Sequence, residues 1–187
     1  MYVIEIIKLI IYFVLLFICA WTDCKKGKIY NKNLLKFILV YTLLNIFEYV
    51  FIFFTDRERI TKLNEILFDN LTGFIIALVI GFVFYLMGVF KGGDAKLLSI
   101  VGLCAGKEKE FIHFAIIILV AGVASLYVLI KNRILIKRFR RIGLYIKGMF
   151  LVGKYERYTT DDDGIKFPFA VYILIGEVLS YVYCLLK

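Results

Sequence analysis

The 187-residue sequence contains few of the residues that punctuate or cross-link soluble domains: it has one proline and four cysteines. The cysteines are scattered and form no CxxC pair, so neither a zinc site nor a disulfide framework is supported. There is also no internal repeat, low-complexity tract or Ser/Gly-rich linker. We therefore expect a single domain over residues 1–187. The cysteines are Cys19, Cys24, Cys104 and Cys184.

Apolar residues dominate the chain instead. They make up 62% of it, and the mean hydropathy is +0.86. A soluble domain of this size does not need so much apolar surface, so the composition predicts an integral membrane protein embedded in the lipid bilayer. The net charge of +9 does not indicate nucleic-acid binding, because the basic residues of membrane proteins collect in cytoplasmic loops.

Six apolar segments are candidates for membrane helices, since about 20 residues cross a bilayer. The fourth segment spans most of the bilayer core only when it is counted from Gly92. Small residues in the third segment, Gly73, Ala77 and Gly81, predict close packing against a neighbouring helix. The predicted fold is all-α: a polytopic membrane protein with about six transmembrane helices. The segments are residues 3–22, 34–54, 71–90, 92–106, 111–130 and 167–186.

The charges of the loops predict the topology. Residues 23–33 hold four lysines and one aspartate, and residues 131–157 hold nine basic residues and one glutamate. By the positive-inside rule, both loops face the cytoplasm, and both termini lie on the opposite side. Residues 131–150 interleave basic and apolar side chains, which predicts a basic amphipathic cytoplasmic segment at the membrane surface. These features indicate a multi-pass protein of the inner (cytoplasmic) membrane.

An acidic residue interrupts the apolar pattern at residues 90–98, FKGGDAKLL. Asp94 lies at or just inside a membrane boundary, where a carboxylate usually faces an aqueous cavity and serves function. Gly92 and Gly93 permit close backbone approach and dihedral angles that a side chain would forbid. The simpler interpretation is a glycine turn with Asp94 as the N-cap of the following helix.

A second aspartate, Asp23, ends the first apolar segment and precedes the basic turn at residues 24–33. It lies 71 positions before Asp94, but the predicted topology places both carboxylates on the cytoplasmic side. Lys96 follows Asp94 by two residues, about 200° around a helix, so we do not expect these two side chains to pair.

The two motifs together resemble the type IV prepilin and preflagellin peptidases, which are GxGD membrane aspartic proteases. The first motif of that family is an aspartate after helix one, then a basic turn with Ile, a variable residue and Asn, here Ile29, Tyr30 and Asn31. The second is Gly-x-Gly-Asp followed by a small or branched residue, Lys and Leu. This chain has Lys91 in place of the first glycine and Tyr30 where proline is common, and both departures bear on loop geometry.

This resemblance implies a membrane aspartic endopeptidase that removes the short basic leader of prepilin-like or preflagellin-like precursors on the cytoplasmic side. Asp23 and Asp94 would be the catalytic pair. Gly92, Gly93 and Lys96 would shape the loop or bind substrate. No metal or other cofactor is implied. The chain would be the short form of the family, without the cytoplasmic methyltransferase part. A third agreement is the Pro-aromatic-small sequence at residues 168–170, before the last helix.

Two other classes of function remain open. Paired aspartates near the midplane would suit a small ion channel or transporter, and a degenerate peptidase could be a non-catalytic pilus assembly factor. Two further features are interpreted as having no role in the function. The acidic cluster at residues 161–163 is expected to be a solvated turn, since it lacks the alternating ligands of an EF-hand. His113 has no partner in the sequence pattern and is expected to be a bystander.

Overall fold

A computed structural model describes residues 2–55, 58–86, 90–131, 133, 136 and 168–186. Nearly all of this part of the chain is α-helix, in five hydrogen-bonded elements. The prediction of an all-α fold is therefore confirmed. The predicted amphipathic segment at 131–150, apart from three residues, and the acidic cluster at 161–163 lie outside the described residues. The helices are α1 (Tyr2–Lys26), α2 (Asn31–Thr55), α3 (Glu58–Leu86), α4 (Gly92–Lys131) and α5 (Phe169–Leu186).

Helix α4 is broken at Gly106, whose φ of 72° and ψ of 165° are not helical. A residue with a side chain rarely adopts this φ, and a Cβ at this position would also collide with the side chain of Asp69. The break divides α4 into a first arm, residues 92–105, and a second arm, residues 107–131. These arms correspond to the fourth and fifth segments predicted from hydropathy.

Four helical stretches are long and apolar enough to cross a membrane, and they carry large apolar side chains exposed on their outer faces. The chain is thus a polytopic membrane protein. The two remaining predicted segments are the first arm of α4 and α5, whose apolar stretch, Phe169–Cys184, is shorter. The four long stretches are Val3–Lys26, Asn31–Thr55, Ile60–Leu86 and Phe111–Val128.

The first arm of α4 lies at the centre of the bundle, where Leu97, Leu98 and Val101 are almost fully buried. It crosses α3 at very short range: a Cβ on Gly102 would lie 2.6 Å from the Cβ of Ala77. Such an approach requires small residues, because in lipid the helices associate largely by packing. The predicted close packing of α3 is therefore confirmed. It holds the first arm of α4, which begins with the GGD motif, against α3.

Candidate active site

Asp23 lies in the last turn of α1, and its local structure follows from the glycine four residues later. Gly27 has a φ of 63°, and its N–H donates to the carbonyl of Asp23 at 2.7 Å. This left-handed glycine ends the helix. The chain then turns through residues 27–30 and starts α2 at Asn31. The Asp23 side chain is 5% exposed, and its Oδ2 accepts a hydrogen bond from the N–H of Ala170 at 3.2 Å.

Asp94 lies in the first turn of α4 and is also 5% exposed. The N–H groups of Asp94 and Ala95 donate to the carbonyl of Lys91, so Lys91, not Asp94, is the N-cap. The N-cap interpretation of Asp94 is therefore wrong by three positions. The Asp94 carboxylate instead accepts the Lys91 N–H at 3.1 Å, which is the return bond of a capping box.

The two aspartate motifs contact each other at two points. The Lys96 ammonium donates to Oδ1 of Asn31 at 3.1 Å. Gly93 packs against Ile29 so closely that a Cβ on the glycine would lie 3.0 Å from that of Ile29. A third link runs through α5, because Phe169 packs its ring on Phe90, with 4.6 Å between ring centroids. The fold thus brings the two motifs together at one end of the bundle.

The environment of Asp94 makes its carboxyl group a weaker acid than that of a solvated aspartate. Asp94 lies outside the four long apolar stretches that could cross a membrane. Burial of its side chain raises the pKa of the carboxyl group to about 6. The hydrogen bond from Lys91 opposes this shift, and the negative charge of Asp23 adds to it. That electrostatic effect means that the two carboxylates lie within interaction range of each other. A neighbouring pair of acids, one protonated and one ionised, is the arrangement that general acid–base chemistry requires.

The two glycines of the motif differ in role. Neither has a positive φ, and both lie in helix, so the expectation of dihedral angles forbidden to other residues is wrong. A Cβ at Gly92 would make an ordinary contact of 3.6 Å with the Tyr85 ring, whereas Gly93 has no such room beside Ile29. Close approach is therefore the reason for glycine at position 93.

Lys96 bonds to Asn31, in keeping with the prediction that it does not pair with Asp94. The sequence did not predict that Asn31 is the partner of Lys96, nor that the N–H of Ala170 donates to Asp23. The Pro-aromatic-small sequence at 168–170 was the one signal for this second contact.

His113 is not the isolated side chain that the sequence suggested. Its Nδ1 lies 2.9 Å from Oε1 of Glu177, and the Tyr12 hydroxyl donates to Oε2 of the same carboxylate at 2.8 Å. All three side chains are buried. This cluster joins α1, the second arm of α4 and α5. The described residues include no group of three or more His, Cys, Asp or Glu side chains that could hold a metal ion.

The structure is therefore that of a polytopic helical membrane protein with two buried, interacting aspartates at one end of its helix bundle. Residues 10–130, more than half of the chain, match a sequence model of the type IV leader peptidase family. The chain belongs to this peptidase family, which confirms the resemblance. The match includes both aspartates and ends before α5. The chain matches no curated protein and no solved structure.

Proposed function

We propose that the chain is a membrane aspartic endopeptidase in which Asp23 and Asp94 form the catalytic pair. The observation that carries the proposal is the convergence of two buried carboxylates from separate motifs, close enough for the charge of Asp23 to raise the pKa of Asp94. Membership of the type IV leader peptidase family supports peptide-bond hydrolysis as the reaction. Two acids sharing one proton provide both the base and the acid that this reaction needs.

The surroundings of each carboxylate support an assignment of roles. Asp94 is suited to hold the shared proton, because burial raises its pKa to about 6. Asp23 takes the role of the base. It accepts the Ala170 N–H in the first turn of α5, where the positive end of the helix dipole stabilises a carboxylate.

The proposed reaction begins with a water molecule between the two acids. Asp23 removes a proton from this water as the oxygen attacks the scissile carbonyl carbon, and Asp94 gives its proton to the carbonyl oxygen. The product of this step is a neutral gem-diol. In the second step, Asp23 gives its proton to the leaving nitrogen, the C–N bond breaks, and a hydroxyl proton of the gem-diol returns to Asp94. Both carboxyl groups are then back in their starting states.

Prepilin-like or preflagellin-like precursors, cut on the cytoplasmic side, are the proposed substrates. The aspartate end of the bundle borders the turn at 24–33, whose lysines favour the cytoplasmic side of the inner membrane. An apolar substrate helix would lie in the bilayer against the exposed apolar faces of the bundle, with its scissile bond at the membrane boundary. Lys96 and the Gly92–Gly93 segment would shape the substrate site between the two motifs.

Cleavage of a candidate precursor by the purified protein, followed by the appearance of the shortened product, tests this proposal. Asp23→Asn and Asp94→Asn preserve side-chain shape and remove the carboxylate. Each should reduce cleavage about 10²- to 10⁴-fold, the usual contribution of a general acid or base. Glu65→Gln, at an exposed position on α3, is the control for loss of a negative charge.

Cleavage at the parental rate by either aspartate variant would contradict the two-acid mechanism. The function would then be that of an ion channel, a transporter or a non-catalytic assembly factor.

A further inference from the structure

A cavity of about 710 Å³ lies at the end of the bundle opposite the two aspartates. Lys8, which lines it, precedes Asp23 by 15 residues on α1, a distance of about 22 Å along the helix. Residues of α1, α2 and α3 form most of its wall, and Cys104 of α4 and Tyr181 of α5 complete it. The cavity is therefore separate from the candidate active site.

A buried ion pair forms part of the cavity wall. Lys8 Nζ lies 2.5 Å from Oε2 of Glu48, and these side chains are only 14% and 5% exposed. Lys8 also donates to Oδ1 of Asn45 at 2.6 Å. An ammonium group has three donors, of which these two contacts use two. Asn45 is held through its oxygen by Lys8, and its side chain also forms a hydrogen bond with the Tyr41 hydroxyl.

Two further charges lie at the mouth of the cavity, where Glu5 and Lys62 are exposed. The lining thus combines two cations and two carboxylates with no net charge. Apolar side chains, including Leu9 and Ile66, lie between these groups and continue into the exposed apolar surface of the bundle. A ligand that complements this lining carries one charge of each sign and an apolar part.

We propose that this cavity binds the zwitterionic headgroup of a phospholipid, a phosphate linked to a primary amine, as in phosphatidylethanolamine. The phosphate accepts hydrogen bonds from Lys8 and Lys62, and the ammonium group lies against Glu5 and Glu48. The acyl chains follow the apolar surface beside Leu9 and Ile66. The bilayer holds such an amphiphile next to the cavity, whereas free phosphoethanolamine offers the same charges without the apolar part.

Native mass spectrometry of the full chain, stripped of lipid in detergent, tests this proposal. The probes are phosphatidylethanolamine, phosphatidylglycerol and phosphoethanolamine, each titrated separately. We expect phosphatidylethanolamine to bind at least about tenfold more tightly than either of the others, a difference of about 1.4 kcal/mol. The double variant Lys8→Gln/Glu48→Gln removes both buried charges together, so neither is left unpaired, and it should abolish this preference.

The matched control is Lys107→Gln/Glu65→Gln, which also removes one charge of each sign but at exposed positions outside the cavity. It should bind like the parent. If the Lys8/Glu48 variant does not fold, as judged by size exclusion and helical circular dichroism, Glu5→Gln/Lys62→Gln replaces it. These side chains are exposed and should tolerate substitution, yet we expect the same loss of preference.

Three results would overturn the proposal. Equal binding of the two lipids would show that headgroup charge is not recognised. Equal binding by parent and folded cavity variant would place the lipid elsewhere on the protein. Phosphoethanolamine binding as tightly as the whole lipid would make the site one for a soluble ligand. Because none of these measurements involves precursor cleavage, they do not depend on the proposed peptidase activity.

Discussion

The two ends of this helix bundle differ in the partners of their buried acidic side chains. At one end, Asp23 and Asp94 lie close together, and their described hydrogen bonds come from the backbone N–H groups of Ala170 and Lys91. In the other part of the bundle, Glu48 pairs with Lys8, and Glu177 contacts Tyr12 and His113. The first arrangement brings two acidic side chains together, and the second surrounds each acid with side-chain partners of other types.

This difference separates acids that can change protonation state from acids that hold helices together. A buried carboxylate with a side-chain partner is stabilised in one state, and removal of the partner leaves an uncompensated charge or polar group. Two carboxylates in one site cannot both be ionised without a free-energy cost, so a proton is readily held by one of them. The aspartate end is therefore suited to proton transfer, and the contacts of Glu48 and Glu177 are suited to stability.

The largest expected effect tests whether the two aspartates act as one unit. The double variant Asp23→Asn/Asp94→Asn should cleave precursor no more slowly than either single variant, because members of one catalytic unit are strongly non-additive. Initial rates of the four proteins give the comparison. If the fold-loss of cleavage rate in the double variant equals the product of the two single fold-losses, the aspartates act independently. That result would contradict the proposed mechanism.

Gly93 should be the next most sensitive position. Gly93→Val places branched carbons against Ile29 and should displace Asp94, and a shift near 1 Å can reduce rate by about 10²-fold. Gly92→Ala is the control, since its Cβ makes only an ordinary contact with Tyr85. The additional change Ile29→Ala should restore part of the cleavage lost in Gly93→Val. No rescue would mean that the contact with Ile29 is not what requires glycine.

The cluster around Glu177 should respond in stability rather than in cleavage. Glu177→Leu leaves the buried Tyr12 hydroxyl and His113 ring without this acceptor, at a cost of about 1–3 kcal/mol per unsatisfied group. The midpoint of thermal unfolding in detergent should fall, while the cleavage rate measured well below that midpoint stays near the parental value. Tyr183→Phe, at an exposed position on the same helix, is the control. Loss of cleavage without loss of stability would mean that Glu177 takes part in function, and that the two regions do not differ in the proposed way.

The protonation of Asp94 gives a smaller but more direct test. Its carboxyl group should lose its proton as the pH rises through about 6, and the infrared band of the protonated acid should disappear over that range. Asp23→Asn removes a neighbouring negative charge that favours the protonated form, so the transition should move to lower pH. The same spectrum of Asp94→Asn identifies the band. A transition that does not move in Asp23→Asn would contradict the inferred interaction between the carboxylates.

Lys96 should give the smallest effect. Lys96→Met breaks its exposed hydrogen bond to Asn31, and a typical hydrogen bond contributes only about 0.5–1.5 kcal/mol net, so cleavage should fall only a few-fold. In a double-mutant cycle with Asn31→Ala, the second change should add little to the first. Lys107→Met controls for loss of an exposed positive charge. Full additivity would show that the two residues act separately.

Several features of the protein follow from the sequence alone. Long apolar segments determine membrane helices, because unpaired backbone groups are costly in lipid and a helix satisfies them internally. The motif around Asp23 and that around Asp94 were sufficient to indicate the peptidase family. The small residues at positions 73, 77 and 81 predicted close packing of α3, since only packing and polar contacts bring helices together in a bilayer.

Other features depended on tertiary structure, because they join residues that are far apart in the chain. Hydropathy cannot show that Ala170 donates to Asp23, 147 positions earlier, or that Asn31 accepts from Lys96. It also left His113 without a partner, since Glu177 lies on another helix. Helix periodicity specifies which face of a helix is apolar, but the partner on the facing helix is decided only when the helices pack. That packing alone determined which acids lie together and which are matched by other side chains.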